Sequence, residues 1–370
     1  MITFFRSKFA PPNFIFNCQN FLRPKQWTSS PRKDLALFLS KETSPGGAVV
    51  SLYGRHFVEM NDVTADELQL ILKHATELKT KQKRGEPHRI LEGKTLAMIF
   101  EKQSTRTRVS FETGMFQLGG HALFLGSHDL QVGRGETVED TARVLSGFVD
   151  CIMARTYAHA TVTGLAKYSK VPVINGLSDY EHPCQILADL LTIQEDKTAL
   201  RGLKLTYVGD GNNVANSLII GCVKAGMSIS LACPEGYWPD STIVQKSKQE
   251  AAKQSQTVEV TTDPSAAVKD ADVLYTDVWV SMGQDEETEK RLKVFKPYQI
   301  NSALVAKAKE DCIVLHCLPA HYGQEITKDV VDGKHSRIFE EAENRLHTQK
   351  ALLSLLLSKE SQTLSASRKN

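Results

Sequence analysis

Thr95-Leu96-Ala97-Met98-Ile99-Phe100, followed by Glu101-Lys102-Gln103 and Ser104-Thr105-Arg106-Thr107-Arg108, is the stretch on which the fold turns. The first six residues read as a short buried strand, and Val109, Phe111, Met115, Phe116 and Leu118 then recur at roughly helical spacing. The first turn of that helix offers unpaired backbone N–H groups and the positive end of its dipole. With the hydroxyls of Ser104, Thr105 and Thr107 and the guanidiniums of Arg106 and Arg108, it makes a concentrated anion site suited to a phosphate. Taken alone, the same residues also fit a plain helix cap followed by solvated arginines.

The pattern repeats on both sides of this stretch. Apolar positions from Asp66 to Lys81 share one helix face. Strands are then expected at 95–100, 121–125, 151–154 and 171–174, with helices near 106–119, 137–148 and 159–168. A long helix over 182–195 leads into a second alternation. Its strands are expected at 203–208, 228–232, 258–261, 273–276 and 313–315, and its helices near 213–225, 240–254, 264–269, 284–294 and 302–309. A leucine-rich helix over 344–357 closes the chain. Such alternation predicts an α/β protein with two doubly wound parallel-sheet domains joined by helices, the last helix packing back across them. The expected divisions are a leader over 1–50, a first domain over 56–195 to which 344–357 returns, and a second over 196–340. Ligands of such sheets bind beyond the carboxyl ends of the strands.

Composition narrows the class. The 370 residues are 41% hydrophobic and 24% charged, as in globular proteins, and a net charge of +2 gives no reason to expect nucleic acid or a membrane surface. No apolar run approaches the ~20 residues that cross a bilayer. The seven cysteines show no paired spacing, so neither a disulfide framework nor a metal site is expected. Arg6, Lys8, Arg23, Lys25, Arg32 and Lys33, with no acid before Asp34, read as an organelle-import leader. That reading places the protein in the mitochondrial matrix, with the plastid as runner-up; an acid-poor tail is the plainer alternative.

Several residues stand where ligands of such sheets bind. Arg155 ends a strand. His182 and Gln185 share a face at a helix start opened by Pro183, where both could donate to one carbonyl or carbamoyl oxygen. Val208-Gly209-Asp210-Gly211-Asn212-Asn213-Val214 invites a dinucleotide reading, but Val214 stands where a glycine is needed. Side-chain amides at that helix start suit a carboxylate instead, so a nicotinamide-dependent dehydrogenase is disfavoured. Asp277 follows a strand and can take an ammonium group, with Ser281-Met282-Gly283 close behind. His316 and Cys317 are adjacent and point to opposite faces, which disfavours a cysteine nucleophile and leaves a thiol lining a pocket. Gln131 lies in a polar loop, and Arg345 near the start of the last helix can aim back at the cleft.

Ser-Thr-Arg-Thr-Arg at 104–108, His-Pro-Cys-Gln at 182–185, Asp-Val-Trp-Val-Ser-Met-Gly at 277–283 and His-Cys-Leu-Pro at 316–319, in this order, closely resemble the aspartate/ornithine carbamoyltransferase family. The resemblance covers about residues 56 to 357; Cys184 departs from it, where the family often has threonine or serine. Ser281-Met282-Gly283, Cys317 and Gln131 resemble the ornithine branch. The resemblance implies transfer of the carbamoyl group of carbamoyl phosphate to the side-chain amine of L-ornithine, giving L-citrulline and phosphate, in arginine biosynthesis or a urea cycle. It implies that Ser104, Thr105, Arg106, Thr107 and Arg108 hold the phosphate, with Gln131 reaching it from a neighbouring subunit of a homotrimer. Arg155, His182, Gln185 and Arg345 would take the carbamoyl end. Asn213, Asp277, Ser281 and Met282 would take ornithine, and Cys317 and Leu318 would line the pocket by its side-chain amine. No cofactor is implied. Transfer to a related amine such as putrescine, or a non-catalytic regulator on the same fold, are the alternatives.

Overall fold

The computed structural model describes residues 51–130, 135–280 and 287–359. The leader 1–50, Gln131, Ser281 and Met282 lie outside them. Two all-parallel sheets organise the chain. The first contains β1 (Thr95–Phe100), β2 (His121–Gly126), β3 (Cys151–Arg155) and β4 (Val173–Leu177) in the order β2-β1-β3-β4. The second contains β5 (Lys204–Val208), β6 (Ser228–Ala232), β7 (Val258–Thr261), β8 (Val273–Thr276) and β9 (Ile313–His316) in the order β7-β6-β5-β8-β9.

Around the first sheet lie α1 (Ala65–Lys83), α2 (Thr105–Gln117), α3 (Val138–Leu145), α4 (His159–Tyr168) and α5 (Pro183–Lys197). The second half carries α6 (Asn213–Ala225), α7 (Ser241–Ala252), α8 (Pro264–Ala267), α9 (Thr288–Phe295), α10 (Ser302–Val305) and α11 (Lys328–Val331). The last helix, α12 (Ile338–Leu357), packs against α1, α2 and α5 and touches β9.

β1 shows why these sequences make covered sheets. Leu96, Met98 and Phe100 enter one core cluster while Ala97 and Ile99 enter another, as the two-residue period of a strand demands. The first cluster is continuous through α5, α6 and α12 to Leu205 and Tyr207 of β5, so a single apolar body joins the two sheets. Val208, Leu274 and Val314 turn the other way, onto a third cluster under the second sheet.

Three elements depart from expectation. β4 runs over Val173–Leu177 rather than 171–174, extending through Asn175 and Gly176. Asn175 is held there by donating from Nδ2 to the Val58 carbonyl at 2.9 Å. α10 stops at Val305, well short of 309. α12 starts at Ile338, six residues before the expected Asn344, and so places Glu341 inside the helix.

Candidate active site

Each sheet reverses its strand order once, between β1 and β3 and between β5 and β8. In doubly wound sheets these reversals open crevices at the carboxyl ends of the strands. Phe100 and Arg155 are paired there, so the turn into α2 and the end of β3 lie side by side. Ser104 caps α2 by accepting from the Thr107 N–H at 3.3 Å. Thr107 is buried and Arg106 half-buried, both on the inner side of the helix.

Arg345 reaches this point from α12. It is buried, donates from Nη1 to Gln185 Oε1 at 2.6 Å and from Nη2 to Thr107 Oγ1 at 3.2 Å. Arg106, Arg155 and Arg345 thus bring three guanidiniums within electrostatic reach of one another. Burial first, then repulsion from Arg345 and Arg106, pulls Arg155 down to about 10. Among the described residues its Nε has no hydrogen-bond partner. Like charges gathered in a low-dielectric crevice repel, and an anion among them relieves the strain.

His182 completes the cluster from the start of α5. Its backbone N–H donates to Ser217 Oγ at 2.9 Å, while its ring Nδ1 is buried without a hydrogen-bond partner among the described residues. Burial, reinforced by Arg345, Arg155 and Arg106, holds the imidazole well below its ordinary pKa, so the ring is neutral at pH 7.

Two expectations are corrected here. Arg108 does not join the cluster. It is exposed, pairs from Nε with Glu112 at 3.0 Å and lies over the Phe124 ring. Positions 106 and 108 are about 200° apart around a helix, so one faces in when the other faces out. Gln185 does not offer a donor. Its Nε2 already donates to Asp189 Oδ1 and to Glu341 Oε1, both at 2.8 Å, which uses both N–H bonds and leaves the amide oxygen toward Arg345.

The second reversal supplies the other wall. Asn212 caps α6 and donates to Asp277 Oδ2 at 2.8 Å. The Cys317 thiol donates to Asp277 Oδ1 at 3.0 Å. Burial and the neighbouring Asp277 carboxylate push that thiol well above its ordinary pKa, so it stays protonated and is no nucleophile. Asn213 donates to the Ser178 carbonyl at 2.6 Å, tying the start of α6 to the loop after β4. Leu318, partly buried, packs against the core under the second sheet.

Asp277, His316 and Cys317 bring ligand-type atoms within 4.8 Å of one another. These donors are spent inside the protein. His316 accepts from the Leu318 N–H at 2.9 Å and meets Glu325 at 3.1 Å, and the other two residues bond to each other. The sequence reading does not single out Asp189, Tyr275 or Glu341. The available signals were an aspartate inside the apolar run Ile186–Leu191 and an acid four residues before Arg345.

Comparison with known proteins agrees with this architecture. The carbamoyl-P binding domain of aspartate/ornithine carbamoyltransferases matches residues 55–195, and their Asp/Orn binding domain matches residues 201–356. The chain belongs to the aspartate/ornithine carbamoyltransferase family. It is 58% identical over 309 residues to ornithine carbamoyltransferase of Pyrococcus abyssi, covering 84% of this chain and 98% of that protein. The Bacillus subtilis ornithine carbamoyltransferase is 56% identical over 309 residues, covering 84% and 96%. The solved ornithine carbamoyltransferase from Pyrococcus furiosus superposes with a TM-score of 0.82 at 57% identity, covering 84% of this chain and 99% of that one. As a member of this family the protein is a carbamoyltransferase enzyme. These relatives come from archaea and bacteria, cells without mitochondria. That overturns the mitochondrial-matrix and plastid expectation drawn from the basic leader.

Proposed function

We infer that the protein transfers the carbamoyl group of carbamoyl phosphate to the side-chain amine of L-ornithine, giving L-citrulline and phosphate. The observation that carries this reading is the convergence of Arg106, Arg155 and Arg345 with a neutral His182 at the start of α2. A phosphate held by Ser104, Thr105, Arg106 and Thr107 puts its carbamoyl carbon between His182, Arg155 and Gln185. Attack by a neutral amine builds negative charge on the carbamoyl oxygen and on the departing phosphate. Fixed cations and N–H donors stabilise both charges more in the transition state than in the ground state. Asp277, beside Cys317 and Asn212, is the group suited to the amino acid's ammonium. Asn213, Ser281, Met282 and Leu318 complete that side in this reading. Holding two substrates together supplies much of the remaining acceleration.

In the same reading 56–195, joined by 344–357, forms the phosphate-binding part and 196–340 the ornithine-binding part. The packing of α12 on α1, α2 and α5 supports that division. Two further parts complete it: a homotrimer in which Gln131 of a neighbouring subunit reaches the phosphate, and a product that feeds arginine synthesis. Exposed Val109, Phe116 and Leu123 on α2 and edge strand β2 favour a partner surface beside the phosphate site. The Pyrococcus furiosus relative is named an anabolic ornithine carbamoyltransferase. The test is citrulline formation from carbamoyl phosphate with ornithine, and carbamoylated product formation with aspartate and putrescine. Product from ornithine alone is expected; no citrulline, or faster transfer to putrescine, overturns the reading.

A further inference from the structure

Beneath Gln185 and Arg345 lies a polar knot on four elements. Asp189 stands one turn after Gln185 on α5, and Glu341 one turn before Arg345 on α12. All four side chains are buried. Glu341 Oε1 accepts from Gln185 Nε2 at 2.8 Å and from the Tyr275 hydroxyl of β8 at 3.2 Å. Its Oε2 accepts from the His316 N–H at the end of β9 at 2.8 Å. Asp189 Oδ1 accepts from Gln185 Nε2 at 2.8 Å.

We propose that Asp189 and Glu341 are positioning residues that lock the Gln185 amide with its oxygen toward the carbamoyl group, so that the site selects an acyl phosphate bearing an NH2 over its methyl isostere. The inference rests on the carbamoyl-transfer reading and adds a specificity device to it. Two buried carboxyl groups in contact cannot both ionise, so they share one proton. Burial, and for Glu341 the neighbouring Asp189 as well, raises both groups, Asp189 to about 7. Glu341, raised further than Asp189, holds that proton toward Asp189, and both carboxyl groups still present acceptor oxygens to Gln185. Gln185 then faces acceptors on its nitrogen side and Arg345 on its oxygen side, and no other amide orientation satisfies both. The oxygen keeps a lone pair for a substrate N–H, whereas a methyl group in that place leaves it buried and unmatched.

Glu341→Gln and Asp189→Asn separate this role from structural support. In Glu341→Gln the new amide must keep its oxygen on the His316 N–H, which turns its NH2 toward Gln185 Nε2. Two donors then face each other and Gln185 turns over. Asp189→Asn keeps an oxygen for Gln185 and replaces the shared proton by an N–H, so it is the conservative rescue.

Citrulline formation gives KM for carbamoyl phosphate, and competitive inhibition gives Ki for acetyl phosphate. The ratio of Ki to KM is expected to fall about tenfold or more in Glu341→Gln and to stay within about threefold of the parent value in Asp189→Asn. Equal losses in both variants, or parallel weakening of both ligands in Glu341→Gln, overturns the inference. Should Glu341→Gln not fold, Asp189→Leu, which also removes an acceptor from Gln185, is read against Asp189→Asn by the same ratio. No citrulline from the parent protein overturns the function reading and this inference with it. Citrulline with unchanged discrimination in the variants overturns the inference alone.

Discussion

Replacing Arg155 by methionine separates what this site does for stability from what it does for catalysis. Arg155 is buried, its Nε has no hydrogen-bond partner among the described residues, and burial with the charges of Arg345 and Arg106 draws it down to about 10. At neutral pH the side chain is charged in both folded and unfolded protein, so the fall appears as a constant cost of about 3 kcal/mol to the folded state. That figure already includes the attraction of Cys317 and Asp277 for Arg155. Methionine fills similar length without charge. Arg155→Met is therefore expected to gain about 1–3 kcal/mol in urea denaturation without ligand, the same at pH 6 and pH 8. Inorganic phosphate at a hundredfold excess over its Kd stabilises the parent by about 2.7 kcal/mol through binding to the folded form alone, and the variant loses most of this. Citrulline formation should fall about 100- to 1,000-fold, as when a donor to a developing oxyanion is removed. A ligand-free variant less stable than the parent by more than about 1 kcal/mol would refute the reasoning, because the guanidinium would then be stabilised by the protein itself.

Gly211 and Glu181 offer two further tests. A Cβ on Gly211 would lie 2.2 Å from the Pro239 nitrogen and 2.4 Å from the Trp238 carbonyl carbon, both backbone. Gly211→Ala is therefore expected to shift the turn that carries Asn212 and Asn213, raising KM for ornithine more than KM for carbamoyl phosphate; equal changes would count against it. Glu181 is buried, accepts from the Met60 N–H at 2.9 Å and Ser217 Oγ at 3.0 Å, and is raised by burial to about 7. A carboxyl group raised on folding contributes stability at low pH that is lost as pH rises through its folded value. Glu181 therefore contributes a decline in urea midpoint between about pH 5 and pH 7, opposed by the depressed histidines His182 and His347, and Glu181→Gln should make the midpoint change more positively with rising pH than in the parent. An unaltered slope would exclude Glu181 as a source.

Most of the fold is legible in the chain because parallel strands covered on both faces are near-continuous apolar runs. β1, β6, β7 and β8 occupy the residues expected, and α4 and α6 likewise. Misreadings fall where tertiary contacts override the local pattern. β4 continues through Asn175 and Gly176 because the Asn175 amide finds the Val58 carbonyl, and because Met153 Sδ would lie 2.5 Å from a Cβ at Gly176. The first turn of α12 is rich in acids and looks solvated, yet Glu341 is fully buried because β8, β9 and α5 supply donors from distant parts of the chain. Arg108 looks equivalent to Arg106 in a list of letters, and only helix geometry separates them. Gln185 shows a further limit: sequence marks the side chain, but which end of its amide faces the cleft depends on partners far from it in the chain.

The protonation states of the site support one another. Burial first, and then repulsion from the three guanidiniums that crowd the crevice, keeps the His182 imidazole neutral. A neutral ring can donate a hydrogen bond to a carbamoyl oxygen but has no spare proton to release as an acid at pH 7, so in the proposed reaction His182 stabilises charge by donating. On the opposite wall Cys317 stays a thiol because it is buried and donates its hydrogen bond to Asp277, the group that would meet an incoming ammonium in the proposed reaction. In the proposed reaction the site therefore presents fixed positive charge where phosphate leaves and negative charge where the amine arrives. With Asp189 and Glu341 sharing a proton beneath Gln185, neither member of the pair adds a second full carboxylate to cancel the charge of Arg345. Removing that proton without replacing it should draw Arg345 into an ion pair with Asp189 and weaken its hold on Thr107 and the phosphate side of the crevice.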